Sequence, residues 1–230
     1  MIYLRVWLMM IYREGQELTR NRAGWIMPLL PPLLARVVVH SSPVGSASLW
    51  STASWVWFAA VMPGVMLAAA SLAEERERGT WTALRLAPVS SGCVIVVKIG
   101  VISVVALASE ILLWAIIPHP TASWPLLAMV CGAGFAAFTG SVLALVADSQ
   151  RATSALSAVV MVVLFVSALV YPDLPPMKWW LSWAPSVAWI HLCEHEIHGY
   201  APPNRSVYIL GAWMVLLLGI SQWTLRQQHR

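Results

Sequence analysis

GCVIVVKIGVISVVALASEILLWAII, residues 92–117, carries only two charges, Lys98 and Glu110. A bilayer-spanning helix needs about 20 mostly apolar residues. This run meets that length and reads as a membrane span. Five more apolar segments of similar length surround it, at 24–42, 52–73, 124–147, 152–171 and 207–225. The expected fold is therefore an all-α polytopic membrane protein with six transmembrane helices.

Composition agrees. The chain is 59% hydrophobic and 10% charged, with a mean hydropathy of +0.72. A soluble domain carries about 25% charged residues, so the bilayer is the expected solvent. Fourteen tryptophans suit membrane–water interfaces, where one edge of the indole is apolar and the other wet. MIYLRVWLMMIYREG does not read as a signal peptide, because its apolar run is short and no small-residue cleavage site follows. The net charge of +4 implies no nucleic-acid partner. Cys93, Cys131 and Cys193 lie far apart and form no CxxC pair, so neither zinc nor a disulfide framework is indicated.

The first span holds Pro28, Pro31, Pro32 and Arg36 and is expected to be kinked. The second carries Pro63 and Gly64 in mid-span, tolerable where neighbours satisfy the freed carbonyls. Basic residues orient the whole. With the N-terminus inside, Arg5, Arg13, Arg20, Arg22, Arg76, Arg78, Arg85, Arg151, Arg226 and Arg230 are cytoplasmic, against Lys178 and Arg205 outside. Both termini are then cytoplasmic, in a multi-pass protein of the cell's inner (plasma) membrane.

Residues 1–23 precede the spans. Leu4, Trp7, Leu8, Ile11 and Leu18 recur at helical spacing, with Arg5, Arg13, Glu17 and Arg20 mostly elsewhere on the wheel. That pattern predicts an amphipathic helix lying in the interface; a basic tail without structure is the alternative. Residues 24–230 form the six-span domain. Its outer segment, 172–206, is amphipathic through Trp179, Trp180, Trp183 and Trp189, and is broken by Pro172, Pro175, Pro176 and Pro185. One or two short helices dipping into the outer leaflet are expected there, before the last span.

The most charged stretch is AEERERGTWTALRLAPVS, residues 73–90, with its cytoplasmic loop at 74–90. Glu74 and Arg78 stand i,i+4 apart, so the second span can continue into water. Gly79 permits a bend, Thr80 can cap a short helix through Trp81, Leu84 and Arg85, and Pro88 ends it. Apolar residues held out among charges resemble half of a protein interface; a solvated loop obeying the positive-inside rule is the plainer reading.

Glu-Arg-Glu-Arg-Gly-Thr followed by Ala-Pro-Val-Ser resembles the cytoplasmic loop of ABC-2 type permeases, the membrane subunits of ATP-driven exporters. The matching positions are Glu74, Glu75, Glu77, Gly79, Thr80, Leu84, Leu86 and Pro88; Thr82 departs, standing where many members carry an acid. The interfacial helix, six spans and outer helices match the family's plan. The resemblance implies a coupling helix formed by Glu74, Glu75, Glu77, Arg78, Gly79, Thr80, Trp81, Leu84, Arg85 and Pro88, seated in a groove of an ABC ATPase subunit. It implies a second, smaller contact at the turn Asp148–Arg151, and a pathway shared with a second permease copy, as homodimer or related heterodimer. ATP and Mg would then belong to the partner subunit. The residues add one independent point: Lys98 and Lys178 are the only lysines and neither stands in a GK[ST] context, so this chain has no Walker A loop.

Other constellations are weaker. Arg36 and Glu110 are membrane-embedded charges, each costing on the order of 3 kcal/mol if unpaired near mid-bilayer. They can pair with each other or across a dimer, snorkel to headgroups, or contact substrate. Lys98, early in its span, is expected to snorkel to the cytoplasm. His191, His195 and His198 in HLCEHEIH would share a helix face and could bind zinc or copper, although HExxH is absent and a wet polar face explains them as well. Gly132, Ala136 and Gly140 form a small-residue stripe that favours close helix packing. No nucleophile–base pair is credible, so the chain is not expected to be an enzyme. The leading expectation is an ABC-2 exporter permease. The alternatives are a haem-export-like subunit of cytochrome c maturation and a metal-sensing membrane protein using the outer histidines.

Overall fold

The computed structural model describes residues 2–41, 48–78, 91–117 and 124–227, and among them it is helical with no strand. The helices are α1 (Ile2–Arg20), α2 (Arg22–Ser41), α3 (Leu49–Glu77), α4 (Ser91–Ile116), α5 (Leu126–Val146) and α6 (Gln150–Val170). A 3-10 turn at Pro175–Met177 leads into the short α7 (Lys178–Leu181), followed by α8 (Pro185–Ile197) and α9 (Asn204–Gln227).

Five of them, α3, α4, α5, α6 and α9, are long and apolar enough to cross a membrane. The expected first span differs: its apolar part, Gly24–Val38, is shorter. Arg36 lies within that part, so the uncharged helix between Arg22 and Arg36 is about 20 Å long at ~1.5 Å per residue, against about 30 Å of hydrocarbon. Its prolines are accommodated. Pro32 has no N–H for the Pro28 carbonyl, and Ser109 Oγ of α4 donates to that oxygen instead, at 2.7 Å.

α3 is the axis. A helix that is apolar on every side is a buried helix, and α3 packs against α2, α4, α5, α6 and α8. Its closest neighbour is α5. A Cβ on Gly64 would lie 2.6 Å from the Ala136 Cβ, and one on Gly140 would meet the Val65 carbonyl oxygen. Of the stripe read from the sequence, Ala136 and Gly140 form the α3–α5 crossing, whereas Gly132 faces Trp189 of α8 and Glu110 of α4. Opposite it, Trp50 and Trp57 donate to the carbonyls of Ala168 and Leu164 on α6, at 2.8 and 3.1 Å.

Leu72, Val94, Ala144 and Leu145 cluster at one end of the bundle, with Met10 of α1 and Leu225 of α9 packed on them. The first and last helices therefore meet at the end where α3 finishes. At the other end α8 is driven into the core. Trp189 is fully buried and donates to the Ala128 carbonyl at 2.6 Å, whereas Trp179, Trp180 and Trp183 are exposed. The four do not form one amphipathic set, and Trp57 and Trp114 are likewise core residues rather than interface anchors. Bilayer and protein interior are both apolar, so an indole fits either once its N–H finds an acceptor.

Candidate functional site

Residues 74–78, the last turn of α3 and its cap, send side chains in several directions, because successive positions on a helix turn by about 100°. Glu75 points inward and is 6% exposed. It lies 3.3 Å from Lys98 Nζ of α4 and 3.5 Å from Arg13 of α1. Lys98 also bonds Glu14 Oε2 of α1 at 2.7 Å and Ser71 Oγ of α3 at 2.8 Å. The snorkelling expected of Lys98 does not occur: it is 2% exposed and held by three oxygens, as many as an ammonium has donors. Arg13 also pairs with Glu17 at 3.0 Å. Partial burial alone would lower the Arg13 guanidinium, but the Glu17 hydrogen bond and the nearby carboxylates of Glu17, Glu75 and Glu14 outweigh it and leave it above its ordinary value. Carboxylate oxygens of Glu14, Glu17 and Glu75 lie within 4.8 Å of one another, with Lys98 and Arg13 as their cations.

The neighbouring residues face another way. Arg76 donates to the Ala144 carbonyl and, at 2.8 Å, to the Ala147 carbonyl, where α5 ends. Glu77 accepts from the Gln150 N–H at 2.7 Å, where α6 begins. A cation thus sits at a helix C-terminus and an anion at a helix N-terminus, each matched to the helix dipole. Ser149 adds a second cap on Ala152 N. Asp148 and Arg151 are exposed on this turn, and a pocket of ≈220 Å³ lies between Asp148, Ser149, Arg76 and Glu77. Glu74 and Arg78 pair with each other at the helix end. The structure therefore joins residues 74–78 to the Asp148–Arg151 turn. Gly79, Thr80, Trp81, Leu84, Arg85 and Pro88 lie outside the described residues. Arg13, Glu14, Glu17, Arg76 and Lys98 belong to this site although sequence reasoning did not assign them to it.

A groove of ≈700 Å³ opens beside this charged end. Its lining includes Arg13, Glu74 and Arg78 near the helix ends, Met27, Met66 and Leu67 farther along, and Ser157 of α6.

The membrane charges do not meet. Arg36 is exposed and donates to the Ile116 carbonyl at 3.2 Å. Glu110 is fully buried, and neither carboxyl oxygen has a hydrogen-bond partner among the described residues. The Arg36–Glu110 pair within one chain is therefore corrected. Arg36 reaches the free carbonyls at the end of α4, while Glu110 faces the α5 backbone near Gly132, a Cβ on which would lie 3.2 Å from Glu110 Oε1.

Nor do the outer histidines converge. His191 packs edge-on against Trp50 and lies 3.4 Å from Glu194. His195 Nδ1 is 3.0 Å from the Ala201 carbonyl. His198 Nδ1 is 2.7 Å from the Glu194 carbonyl, and its ring stacks on Tyr200. His191 and His198 share Glu194, and His195 and His198 share Tyr200, but the three rings do not gather their nitrogens into one ligand cluster among the described residues. Between them, Glu196 performs a task the sequence did not reveal. Its two oxygens accept from Leu127 N and Ala128 N at 2.9 and 2.8 Å, satisfying free amides at the start of α5.

Residues 29–223 match a family model described as ABC-2 family transporter protein. The match takes in α2 from Leu29 through most of α9 and leaves out α1. No curated protein matches the chain.

Proposed function

The chain belongs to the ABC-2 transporter family, and on that premise we propose that it is the permease subunit of an ATP-driven exporter, worked by separate ATPase subunits through residues 74–90. The family and the apolar helices make it a multi-pass membrane protein with a transport role. The permease is the membrane component of such a system and is not itself catalytic. ATP and Mg belong to the partner. Two permease copies, identical or related, form the pathway, and both termini are cytoplasmic.

One observation carries the coupling reading. The helix that leads into the strip ends in a junction with four others: α1 and α4 through Glu75, and the end of α5 and the start of α6 through Arg76 and Glu77. A push delivered to the end of α3 would therefore reach most of the bundle through direct side-chain contacts. The ≈700 Å³ groove beside that junction gives a substrate a way in from the same side. Among the described residues His191, His195 and His198 do not bring their ring nitrogens together, which gives no geometric support to the metal-sensing or haem-export alternatives.

The test is co-purification of the tagged chain with its ATPase, followed by ATPase activity after reconstitution. Replacing Trp81 and Leu84 together by Ser should abolish association while leaving the thermal midpoint of the permease unchanged. Full association of that variant, or labelling of a cysteine at residue 81 only from the extracytoplasmic side, would overturn the reading.

A further inference from the structure

A second groove, of ≈480 Å³, lies between α1, α2 and α4, away from the charged end of α3. From α1 it takes Ile11, Gly15 and Leu18, a stripe at i, i+4 and i+7; α2 contributes Trp25 and α4 contributes Val104 and Leu112. We infer that this groove holds one anionic phospholipid, with an acyl chain along α4 and its headgroup at the corner between α1 and α2.

Polarity, length and charge support that occupant. The polar groups in the wall are already used inside the protein. Ser109 donates to the Pro28 carbonyl at 2.7 Å, Thr19 to the Gln16 carbonyl at 2.9 Å, and the Trp25 indole to the Thr19 carbonyl at 3.1 Å. What remains for an occupant is hydrocarbon surface. Along α4 the lining runs from Val101 to Leu112, about 16 Å at ~1.5 Å per residue, which is close to half of a hydrocarbon core of about 30 Å. The slot is therefore one leaflet deep. Trp25, 58% exposed, sits at the corner as an interfacial tryptophan would. Arg22 is exposed three residues before Trp25, and Arg20, also exposed, lines the adjoining charged groove at the same α1–α2 corner; neither forms an ion pair among the described residues. Arginines at a membrane surface attract anionic headgroups, and the basic side of such a protein faces the cytoplasmic leaflet. Gly15 keeps the slot open: a Cβ there meets nothing within 4 Å, so the space is empty of protein and a larger side chain would fill it without displacing a neighbour. The inference requires only that the helices stand in a bilayer, not that the chain couples to an ATPase.

Native mass spectrometry of the full-length chain in detergent, titrated separately with phosphatidylglycerol and phosphatidylcholine, tests it. The wild type should retain one phosphatidylglycerol with about tenfold preference over phosphatidylcholine. Gly15→Phe should lose that adduct at an unchanged melting temperature. Val104→Trp closes the slot from the opposite wall and should do the same should the first variant fold poorly. Arg20→Gln with Arg22→Gln should bring the two lipids to equal affinity. An undiminished first adduct in both slot-filling variants, equal binding of the two lipids by the wild type, or a groove-dependent second copy of the chain in place of lipid would overturn it.

Discussion

Lys98 replaces the water it loses with three oxygens, from Glu14, Ser71 and Glu75. Two of them are carboxylates, on helices far apart in the chain, and that decides what removal would do. Lys98→Met keeps the packing volume but leaves Glu14 and Glu75 buried with one cation fewer, and breaking a buried pair on one side costs on the order of 3 kcal/mol. The variant should lose thermal stability in detergent by that order, measured as a lowered melting midpoint. Adding Glu14→Gln should restore most of the loss, because it removes a charge that has lost its partner; no recovery would mean that Lys98 matters for its shape. The sequence placed Lys98 early in a span, where the long stem of a lysine usually reaches water. Nothing local pointed to Glu14, 84 residues away. Glu110 was legible as an embedded charge, but that it has no counter-charge among the described residues depends on where α5 and α8 pack.

The α3–α5 crossing is held by shape rather than charge. Gly140 lies against the Val65 carbonyl oxygen and Gly64 against Ala136, and a backbone atom cannot swing aside as a side chain can. Gly140→Ala should force the two helices apart and cost about 1–3 kcal/mol, as overpacking does. Gly134 is the internal control. It stands on the same helix with nothing within 4 Å of a Cβ, so Gly134→Ala should be neutral or slightly stabilising through helix propensity. Comparing the two melting midpoints checks the claim, and equal effects would refute it. Features of this kind could be read from the chain because they are periodic along one helix: the stripe at 132, 136 and 140, the spans themselves and the amphipathic α1. Features that depend on which solvent surrounds a helix could not. α8 carries the same residue types whether it lies in lipid or in the core, and burial of Trp189 follows from the space that Gly132 leaves beside it.

Across the molecule, residues 74–78 and the 148–151 turn, which the sequence marked separately, come together at one junction, and that predicts how force would divide. On the proposed reading residues 74–90 meet the ATPase, and among the described residues Glu77 also reaches the start of α6 through the Gln150 amide. Binding and transmission should then be separable. Glu77→Ala removes one cap from α6 and leaves the Ser149 cap in place; a lost helix cap costs about 0.5–1 kcal/mol. The whole fold should survive that loss, while the first turn of α6 opens more often. Hydrogen exchange at Gln150–Thr153 should speed up by roughly a factor of two to five, since ~1 kcal/mol corresponds to about fivefold in a local equilibrium. The ATPase should still co-purify at wild-type levels, but substrate-stimulated hydrolysis and transport should fall. Faster exchange with unchanged stimulation would leave Glu77 as a local cap and shift transmission to the Glu75–Lys98 side. Loss of ATPase binding would instead place Glu77 in the docking surface itself.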